Sequence, residues 1–241
     1  MIVNNPDRSA DVLLRYLDSF GLPHHARVIY RGRNIVAEVD GMCVKSFGVP
    51  GLIKGYIYGL FRQPKARRAY ENALRLRELG VDTPVPAGYV VHVAGGRLRE
   101  SYYVCDMLEG YKELRGIENL REFDSIVPAL AEFMYGLHRK GIFFKDFTQG
   151  NVLYKKVDGK YRFALVDINR MEFDVNDRRK LYSNFGSTLD TEIGQSVLAR
   201  CYASLAGDAS LADELIDIYR RRQARLWRKR RFKERFLKRK K

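Results

Sequence analysis

Residues 137–167 contain the pattern that most restricts the fold of this 241-residue chain. An amphipathic helical pattern ends before Gly141, and Asp146 follows in a loop, five residues before Asn151. A hairpin pattern comes next, and its second strand ends at Asp167. This order predicts a loop that is held at both ends by regular structure and that presents two polar side chains, followed by a strand that ends in a carboxylate.

The rest of the chain divides into a strand-rich first part and a helix-rich second part. Period-two alternation with tight turns predicts strands, and amphipathic spacing predicts helices. Strands are predicted at residues 27–30, 35–39, 42–47, 88–93 and 98–108, with a helix at 65–79. Later helices are predicted at residues 125–139, 177–185, 188–206 and from 211 onward. A short helix over residues 12–20 and irregular structure over residues 48–64 complete the prediction.

This order of elements predicts an α+β fold with two lobes. A small antiparallel-sheet N-lobe with one long helix is expected over residues 1–108, and a larger, mainly helical C-lobe over residues 109–210. Residues 211–241 are expected to form a basic C-terminal helix or tail. Glu109-Gly110 is the predicted hinge between the lobes.

The net charge of +15 is concentrated at one end of the chain. Residues 220–241 hold 14 of the 44 basic residues and one acidic residue, Glu234, so the remaining chain is nearly neutral. A charge excess on one segment indicates an added binding element rather than a property of the folded domain.

Three further features favour a cytoplasmic location. No apolar run approaches the roughly 18 residues that a membrane-spanning helix needs. Residues 1–7 lack the basic and apolar pattern of a secretory signal. The cysteines, Cys43, Cys105 and Cys201, form no CxxC pair and are expected to be reduced, apolar side chains.

Asp146, Asn151 and Asp167 fit the needs of phosphoryl transfer from a nucleotide. That reaction needs a cation on the phosphates, carboxylate and amide ligands for Mg²⁺, and a carboxylate near the acceptor hydroxyl. Catalytic loops for this reaction use the same spacing between Asp and Asn. We therefore expect Asp146 to orient the hydroxyl, and Asn151 and Asp167 to bind the metal. A solvated turn is the alternative, and the flanking helix and hairpin argue against it.

The cation expected on the phosphates is Lys45. It lies between apolar residues on a predicted central strand, so its ammonium reaches either a phosphate or the solvent. Glu71 on the following helix is its expected ionic partner, with Glu78 as the weaker alternative. Where a glycine-rich phosphate loop would join the first two strands, Arg31 and Gly32 stand in a turn with a single glycine. They either contact phosphate or form a solvated turn.

These residues, together with the Leu-His pair at positions 137–138, occur in an order that resembles the protein-kinase-like superfamily. The chain is most similar to the bacterial lipopolysaccharide core kinases, the family of Kdo and heptose kinases. This resemblance implies ATP and Mg²⁺ as cofactors, with Lys45 on the phosphates, Glu71 holding Lys45 and Asp146 as catalytic base. It also implies Asn151 and Asp167 as metal ligands. The resemblance covers about residues 27–185, with further likeness at residues 56–61, 65–71 and 80–86.

Two motifs depart from the superfamily pattern. Phe144 and Lys145 stand where His-Arg is usual before Asp146, and Asn169 stands where the Gly of Asp-Phe-Gly is usual. Both acidic residues are kept, so activity is expected. No Ala-Pro-Glu follows Asp167 to form a peptide platform, which favours a sugar or lipid-linked acceptor. The resemblance thus implies transfer of the ATP γ-phosphate to a hydroxyl of a lipopolysaccharide core sugar at the cytoplasmic membrane face. The alternatives are an atypical protein kinase, a small-molecule kinase and a non-catalytic pseudokinase that binds a partner.

The basic tail has three interpretations. Acidic residues at its start and basic residues at its end favour a helix. It is either a membrane-surface helix on anionic lipid, a nucleic-acid-binding arm, or a solvated end. A lipid-linked saccharide acceptor favours the first interpretation. We therefore expect peripheral attachment to the inner face of the cytoplasmic membrane through residues 220–241, with nucleic acid as the alternative partner.

Overall fold

The computed structural model describes residues 2–4, 13, 15–17 and 21–238. The chain forms two compact units. The first comprises Met1–Gly110 with Ala164–Arg170, and the second comprises Tyr111–Phe163 with Met171–Lys241. The contiguous division into residues 1–108, 109–210 and 211–241, and the hinge at Glu109-Gly110, stay predictions.

A six-stranded antiparallel sheet is the framework of the first unit. Its strands are β1 (Ile2–Asn4), β2 (Arg27–Arg31), β3 (Ile35–Val39), β4 (Met42–Phe47), β5 (Pro86–Ala94) and β6 (Arg97–Asp106). They lie in the order β1-β5-β6-β4-β3-β2. The five predicted strands are confirmed. Their hairpins turn at Asp40-Gly41 and at Gly95-Gly96, and all four residues have the positive φ that tight two-residue turns require.

Three helical elements complete the first unit. They are α1 (Leu52–Tyr56), a π-helical turn (Ile57–Phe61) and α2 (Lys65–Glu78). The predicted long helix is confirmed as α2, and Gly80 follows it with a φ of +69°. The prediction of irregular structure over residues 48–64 is wrong for the ten residues of α1 and the π-helical turn. Glycine and isoleucine disfavour helix locally, so the pattern did not indicate one, but tertiary packing overrides such weak preferences.

The core of the first unit packs against one face of the sheet. It comprises Leu13, Leu17, Val39, Met42, Val44, Ala87, Val90, Tyr102 and Val104. Helix α2 buries its own apolar stripe, which comprises Ala66, Ala69, Tyr70, Ala73 and Leu76. The predicted helix over residues 12–20 lies largely outside the described residues.

The second unit is mainly helical. Its helices are α3 (Phe123–Arg139), α4 (Arg178–Tyr182), α5 (Glu192–Ala206) and α6 (Leu211–Lys238), with 3-10 turns at Ile117–Asn119 and Ser183–Gly186. Its short strands are β7 (Lys112–Glu113), β8 (Phe143–Phe144), β9 (Val152–Val157), β10 (Lys160–Leu165, whose last two residues belong to the first unit) and β11 (Met171–Glu172). The predicted helices and the β9–β10 hairpin are confirmed. Helix α5 begins later than predicted because Thr191 caps it by accepting a hydrogen bond from Gly194 N at 3.0 Å.

Helix α6 has two halves of opposite character. Its first half is anchored, because Leu211, Leu215, Ile216 and Tyr219 are buried. From Arg220 to Glu234 every residue is exposed. The prediction that the tail is helical is confirmed. Among the described residues, no helix combines the length and the apolar character needed to cross a membrane.

Candidate functional site

Lys45 and Asp167 form an ion pair in the first unit. Lys45 Nζ lies 2.6 Å from Asp167 Oδ1, and the Lys45 side chain is only 13% exposed. Lys45 is on β4, where Val36 of β3 and Tyr103 of β6 are its neighbours. Because side chains alternate along a strand, Lys45 lies on the opposite face from the buried Val44. The sheet thus holds a largely buried ammonium against a carboxylate.

The backbone around Asp167 is fixed on both sides. Before it, Leu165 N donates a hydrogen bond to Asp82 O at 2.9 Å. After it, Asn72 Nδ2 donates to Ile168 O at 2.7 Å. Asp167 itself has a φ of +56°, a left-handed conformation that Asp and Asn adopt more readily than most residues. These contacts hold the end of β10 in the first unit.

Asn169 supports the Asp167 carboxylate directly. Its Nδ2 donates to Asp167 Oδ1 at 2.5 Å, so this oxygen accepts both an amide and the Lys45 ammonium. Asn169 is buried. The sequence marks Asn169 only as a departure from a motif, and the structure gives it a positioning contact. The available signal was the short Asp-x-Asn spacing, because Asn side chains bond to neighbouring groups in the chain.

Glu71 does not make the expected contact. Within the described part of the chain it pairs with Arg67, whose Nε donates to Glu71 Oε1 at 2.7 Å, rather than with Lys45. Residues four positions apart on a helix are neighbours, so Arg67 reaches Glu71 without tertiary rearrangement. The expected ion pair between Lys45 and Glu71 is therefore wrong in this structure, and a role of Glu71 toward the nucleotide stays a prediction.

Lys65, at the start of α2, adds a second ammonium beside Lys45. Both ammonium groups lie over the Phe47 ring, with Nζ 5.3 Å from its centroid for Lys45 and 5.9 Å for Lys65. Burial lowers the pKa of Lys65, and the nearby charge of Arg33 lowers it further, while Asp167 opposes the shift. Lys65 thus stands among several cations and one carboxylate.

Arg68 extends this cation cluster along α2. Its charge also lowers the pKa of Lys65. Its Nε is buried and has no hydrogen-bond partner among the described residues. A buried donor without a partner is costly, so an anionic group would satisfy it. The sequence interpretation missed Arg33, Lys65 and Arg68, although the three-residue spacing of Lys65 and Arg68 places both on one helix face.

The polar groups of the turn that joins β2 and β3 form hydrogen bonds within the protein. Gly32 N donates to Asn34 O at 3.0 Å, so this amide is engaged within the turn. Gly48 N donates to Asn34 Oδ1 at 3.3 Å, and a Cβ on Gly48 would come within 2.2 Å of Arg33 O. The turn therefore packs closely on the backbone after β4. Phosphate contacts of Arg31 and Gly32 stay predictions.

The loop of Asp146 and Asn151 lies in the second unit and is anchored by buried aromatic residues. Phe143, Phe144 and Phe147 are all buried. Asn151 Nδ2 donates to Asp146 O at 2.9 Å, which leaves the Asn151 amide oxygen as the group that can bind a cation. Apolar packing and a side-chain bond to the loop backbone thus set the geometry of this segment.

Further side chains hold the same loop by its carbonyl groups. Asn184 Nδ2 donates to Phe144 O at 2.7 Å, and Ser187 Oγ donates to Phe147 O at 3.0 Å. Because the Asn184 amide nitrogen is a donor, its Oδ1 accepts from His138 Nε2 at 3.2 Å. His138 Nδ1 then accepts from the Tyr202 hydroxyl at 2.9 Å. His138, Asn184 and the loop carbonyl form one continuous chain of hydrogen bonds.

Burial lowers the pKa of His138 to about 4, against the weaker opposing effect of its bond to Asn184. The imidazole is therefore neutral near pH 7, as the assigned chain of hydrogen bonds requires. His138 was known from the sequence only as part of the Leu-His pair that ends α3. The structure shows that its ring supports the loop indirectly, through Asn184.

The family model for lipopolysaccharide kinases (Kdo/WaaP) matches residues 49–189. This chain belongs to the lipopolysaccharide kinase (Kdo/WaaP) family. The matched residues include Asp146, Asn151 and Asp167, and they begin four positions after Lys45. Comparison with curated proteins finds no match.

Several solved structures of other proteins are similar to this chain. One is titled WaaP in complex with acyl carrier protein; it is 18% identical, covers 91% of this chain and 93% of its own, and has a TM-score of 0.58. A second is a crystal structure of WbdD, with 14% identity, 84% and 46% coverage, and a TM-score of 0.49. The similarity to the WaaP structure confirms the predicted two-lobed protein-kinase-like α+β fold class. Members of the Kdo/WaaP family are kinases, and the identification of this chain as a kinase is confirmed.

Proposed function

We propose that this Kdo/WaaP family member transfers the γ-phosphate of ATP to a hydroxyl of a lipopolysaccharide core sugar, Kdo or heptose, at the cytoplasmic face of the membrane. The observation that carries the proposal is the family match over residues 49–189, which contains Asp146, Asn151 and Asp167 in kinase motif order. Asp167 belongs to the first unit and Asp146 to the second.

The cation cluster of the first unit is proposed to hold the nucleotide phosphates. The ammonium groups of Lys45 and Lys65 both lie over the Phe47 ring. The buried Nε of Arg68 has no hydrogen-bond partner among the described residues. A polyphosphate would neutralise these positive charges and satisfy that donor. Arg33 adds a further charge near Lys65. Such a cluster would replace the glycine-rich loop that the sequence lacks.

The donor groups of Asp167 and Asn151 fit Mg²⁺. Asp167 offers a carboxylate, and Asn151 offers an amide oxygen whose nitrogen is already bonded to the loop. Oxygen ligands of this kind suit Mg²⁺, which proteins usually hold with one or two carboxylates plus substrate phosphates. When bound, the metal supplies positive charge that stabilises the phosphates during transfer.

Asp146 is proposed as the residue that receives the acceptor hydroxyl. A carboxylate there accepts a hydrogen bond from the hydroxyl, orients its oxygen toward the phosphate and takes its proton as the new bond forms. The carbonyl groups of the same loop accept hydrogen bonds from the side chains of Asn184, Ser187 and Asn151. These bonds fix the backbone from which the Asp146 side chain extends.

The acceptor and the partners follow from the tail and from the family. The missing peptide platform after Asp167 supports a saccharide, and the exposed basic half of α6 supports attachment to anionic lipid. Nucleic acid is the weaker candidate for the same charges. Because the solved WaaP structure contains an acyl carrier protein, that protein is a further candidate partner.

ATP turnover with Mg²⁺ tests the proposal. Turnover is measured with deacylated core saccharide, with a generic protein substrate, or with neither, for the wild type and for Asp146→Asn. We expect stimulation by the saccharide that Asp146→Asn abolishes. Stimulation by the protein substrate alone would support an atypical protein kinase, and no turnover by the wild type under any condition would support a pseudokinase.

A second experiment tests the tail. A chain that ends at Tyr219 keeps the four buried residues that anchor the first half of α6 and loses the exposed basic residues that follow. Sedimentation with anionic liposomes and with RNA compares this chain with the full-length protein. Loss of liposome binding supports the membrane interpretation, whereas loss of RNA binding alone contradicts it.

A further inference from the structure

A second surface, in the first unit, exposes large apolar side chains. The exposed residues of α1 and the π-helical turn include Leu52, Ile53, Leu60 and Phe61, and exposure reaches 77% for Ile53 and 82% for Phe61. Val49, just before α1, is also exposed. We call residues 49–62 the apolar segment. A contiguous group of this kind is unusual on a water-exposed surface and marks an interaction site.

Two glycines seat the apolar segment on the turn between β5 and β6. A Cβ on Gly59 would come within 2.1 Å of Gly96 O, and one on Gly55 within 2.8 Å of Arg97 Cγ. Gly55 and Gly59 are four residues apart, so they share one helical face, and this face lies against the turn. The bulky side chains occupy the remaining surface, so their exposure follows from how the segment is packed.

The charged residues near the apolar segment in the sequence are all basic. Residues 41–70 contain six basic residues and no acidic residue. Within the apolar segment, Lys54 and Arg62 are exposed beside the apolar side chains. Tyr56 and Tyr58 add rings with a polar tip, which suit the boundary between headgroups and acyl chains. Exposed apolar residues with aromatic and basic neighbours are the features of interfacial helices that lie on anionic membranes.

We propose that the apolar segment is a membrane-docking surface that inserts into an anionic lipid bilayer, separately from the basic half of α6. Ile53 and Phe61 enter the boundary between headgroups and acyl chains, and Lys54 and Arg62 contact lipid phosphates. A second copy of this chain is a poorer occupant, because two such surfaces would bring like charges together. Docking needs no catalysis, so its failure and the failure of the proposed kinase activity are distinguishable.

Fluorescence of a single tryptophan tests insertion in the full-length chain. Trp227 is the only tryptophan, so the variant Trp227→Phe provides a dark background. Phe61→Trp places the probe in the apolar segment, and Leu205→Trp is the matched control, because Leu205 is exposed near the end of α5 in the second unit. With vesicles of phosphatidylcholine and phosphatidylglycerol, we expect a blue shift for the probe at position 61. Brominated acyl chains should quench this probe and leave the one at position 205 unquenched.

Three outcomes of the fluorescence experiment overturn the proposal. They are an unquenched probe at position 61 on protein that sediments with the vesicles, a failure of the protein to bind them, and equal quenching at both positions. A blue shift at position 61 that needs no lipid and grows with protein concentration would show instead that a second copy covers the segment.

A partition measurement gives the size of the effect. Replacing both Ile53 and Phe61 by Gln should lower partition into the same vesicles about tenfold or more, because burial of each apolar side chain is lost. Leu205→Gln should leave partition unchanged. Unchanged circular dichroism and unchanged ATP turnover on a soluble acceptor would show that fold and chemistry are intact. Equal partition of the double variant and the wild type contradicts the proposal.

Discussion

Asp167 and Asp146 are the two carboxylates expected to act on the phosphate, and the two units hold them in different ways. Asp167 in the first unit is held through its side chain, by the Lys45 ammonium and the Asn169 amide. The Asp146 loop in the second unit is held through its backbone, by neutral amides and a hydroxyl on its carbonyl groups. The first arrangement ties a charge to its neighbours, whereas the second fixes the backbone that carries Asp146. The two regions should therefore respond differently to mutation and to pH.

The largest effect is expected where a carboxylate performs chemistry. Asp146→Asn keeps the shape of the side chain and removes the base, so kcat should fall about a thousandfold, equivalent to about 4 kcal/mol. The free energy of unfolding should change less than the activation free energy, because the side-chain bonds to the loop carbonyl groups remain. Steady-state turnover and urea unfolding measure the two quantities. The control is Asp158→Asn, in the β9–β10 turn, and equal losses in both variants would contradict a catalytic Asp146.

The uncharged side chains that bond to the loop carbonyl groups should affect the free energy of unfolding rather than kcat. Asn184→Ala leaves the Phe144 carbonyl and the His138 ring without their buried partner, which should cost about 3 kcal/mol in the free energy of unfolding. Ser187→Ala removes one bond to the same loop and should cost about 1 kcal/mol. Urea unfolding at pH 7 compares them. An equal loss of stability in both variants would show that the hydrogen bond between His138 and Asn184 adds nothing to the support of the loop.

His138 should make stability depend on pH. Its pKa is about 4 in the folded protein and near 6.5 unfolded, so the unfolded state binds the extra proton between these values. Stability is therefore lost as pH falls through this window, by about 2 kcal/mol between pH 7 and pH 5. The measurement is the free energy of unfolding at both pH values. His138→Gln should flatten the dependence, and an unchanged slope in that variant would assign it to other groups.

The smallest effect is expected in the cation cluster beside Asp167, where a substitution should change the KM for MgATP. Lys65→Met removes one of several charges proposed on the phosphates, so KM for MgATP should rise about tenfold, equivalent to about 1.4 kcal/mol, with a smaller change in kcat. Lys54→Met, on the exposed apolar segment, is the matched control in a soluble assay. A KM that is unchanged in Lys65→Met would remove Lys65 from the nucleotide site and leave the pair of Lys45 and Asp167 as its centre.

Local pattern accounts for most of the predicted elements. The β2–β4 meander, α2 and the β9–β10 hairpin follow from alternation, helical spacing and turn residues such as Asp40-Gly41. These signals arise within a few residues of each other, so a single sequence contains them. The ten helical residues of α1 and the π-helical turn do not have such a signal. Their conformation depends on contact of Gly55 and Gly59 with a hairpin about forty residues away.

The distinction between local signals and long-range contacts also applies to the site residues, some of which the sequence indicated and some of which it did not. Lys45, Asp146, Asn151 and Asp167 were predicted from their motifs, because residue type and spacing are themselves the signal. The ionic partner of Lys45 was not, since Glu71 pairs locally with Arg67 while Asp167 reaches Lys45 through the tertiary fold. Pairing between distant segments depends on which elements pack together, and residue spacing does not record that.

The amino-acid sequence by itself determined the strand meander, the long helix and the order of the acidic residues, because each depends on chemistry within one short segment. The tertiary structure decided that residues 164–170 join the first unit, that Asn169 and Asn184 position the two acidic segments, and that the apolar segment is exposed. These outcomes depend on backbone and side-chain contacts between residues far apart in the chain, where packing and hydrogen-bond geometry select the partner.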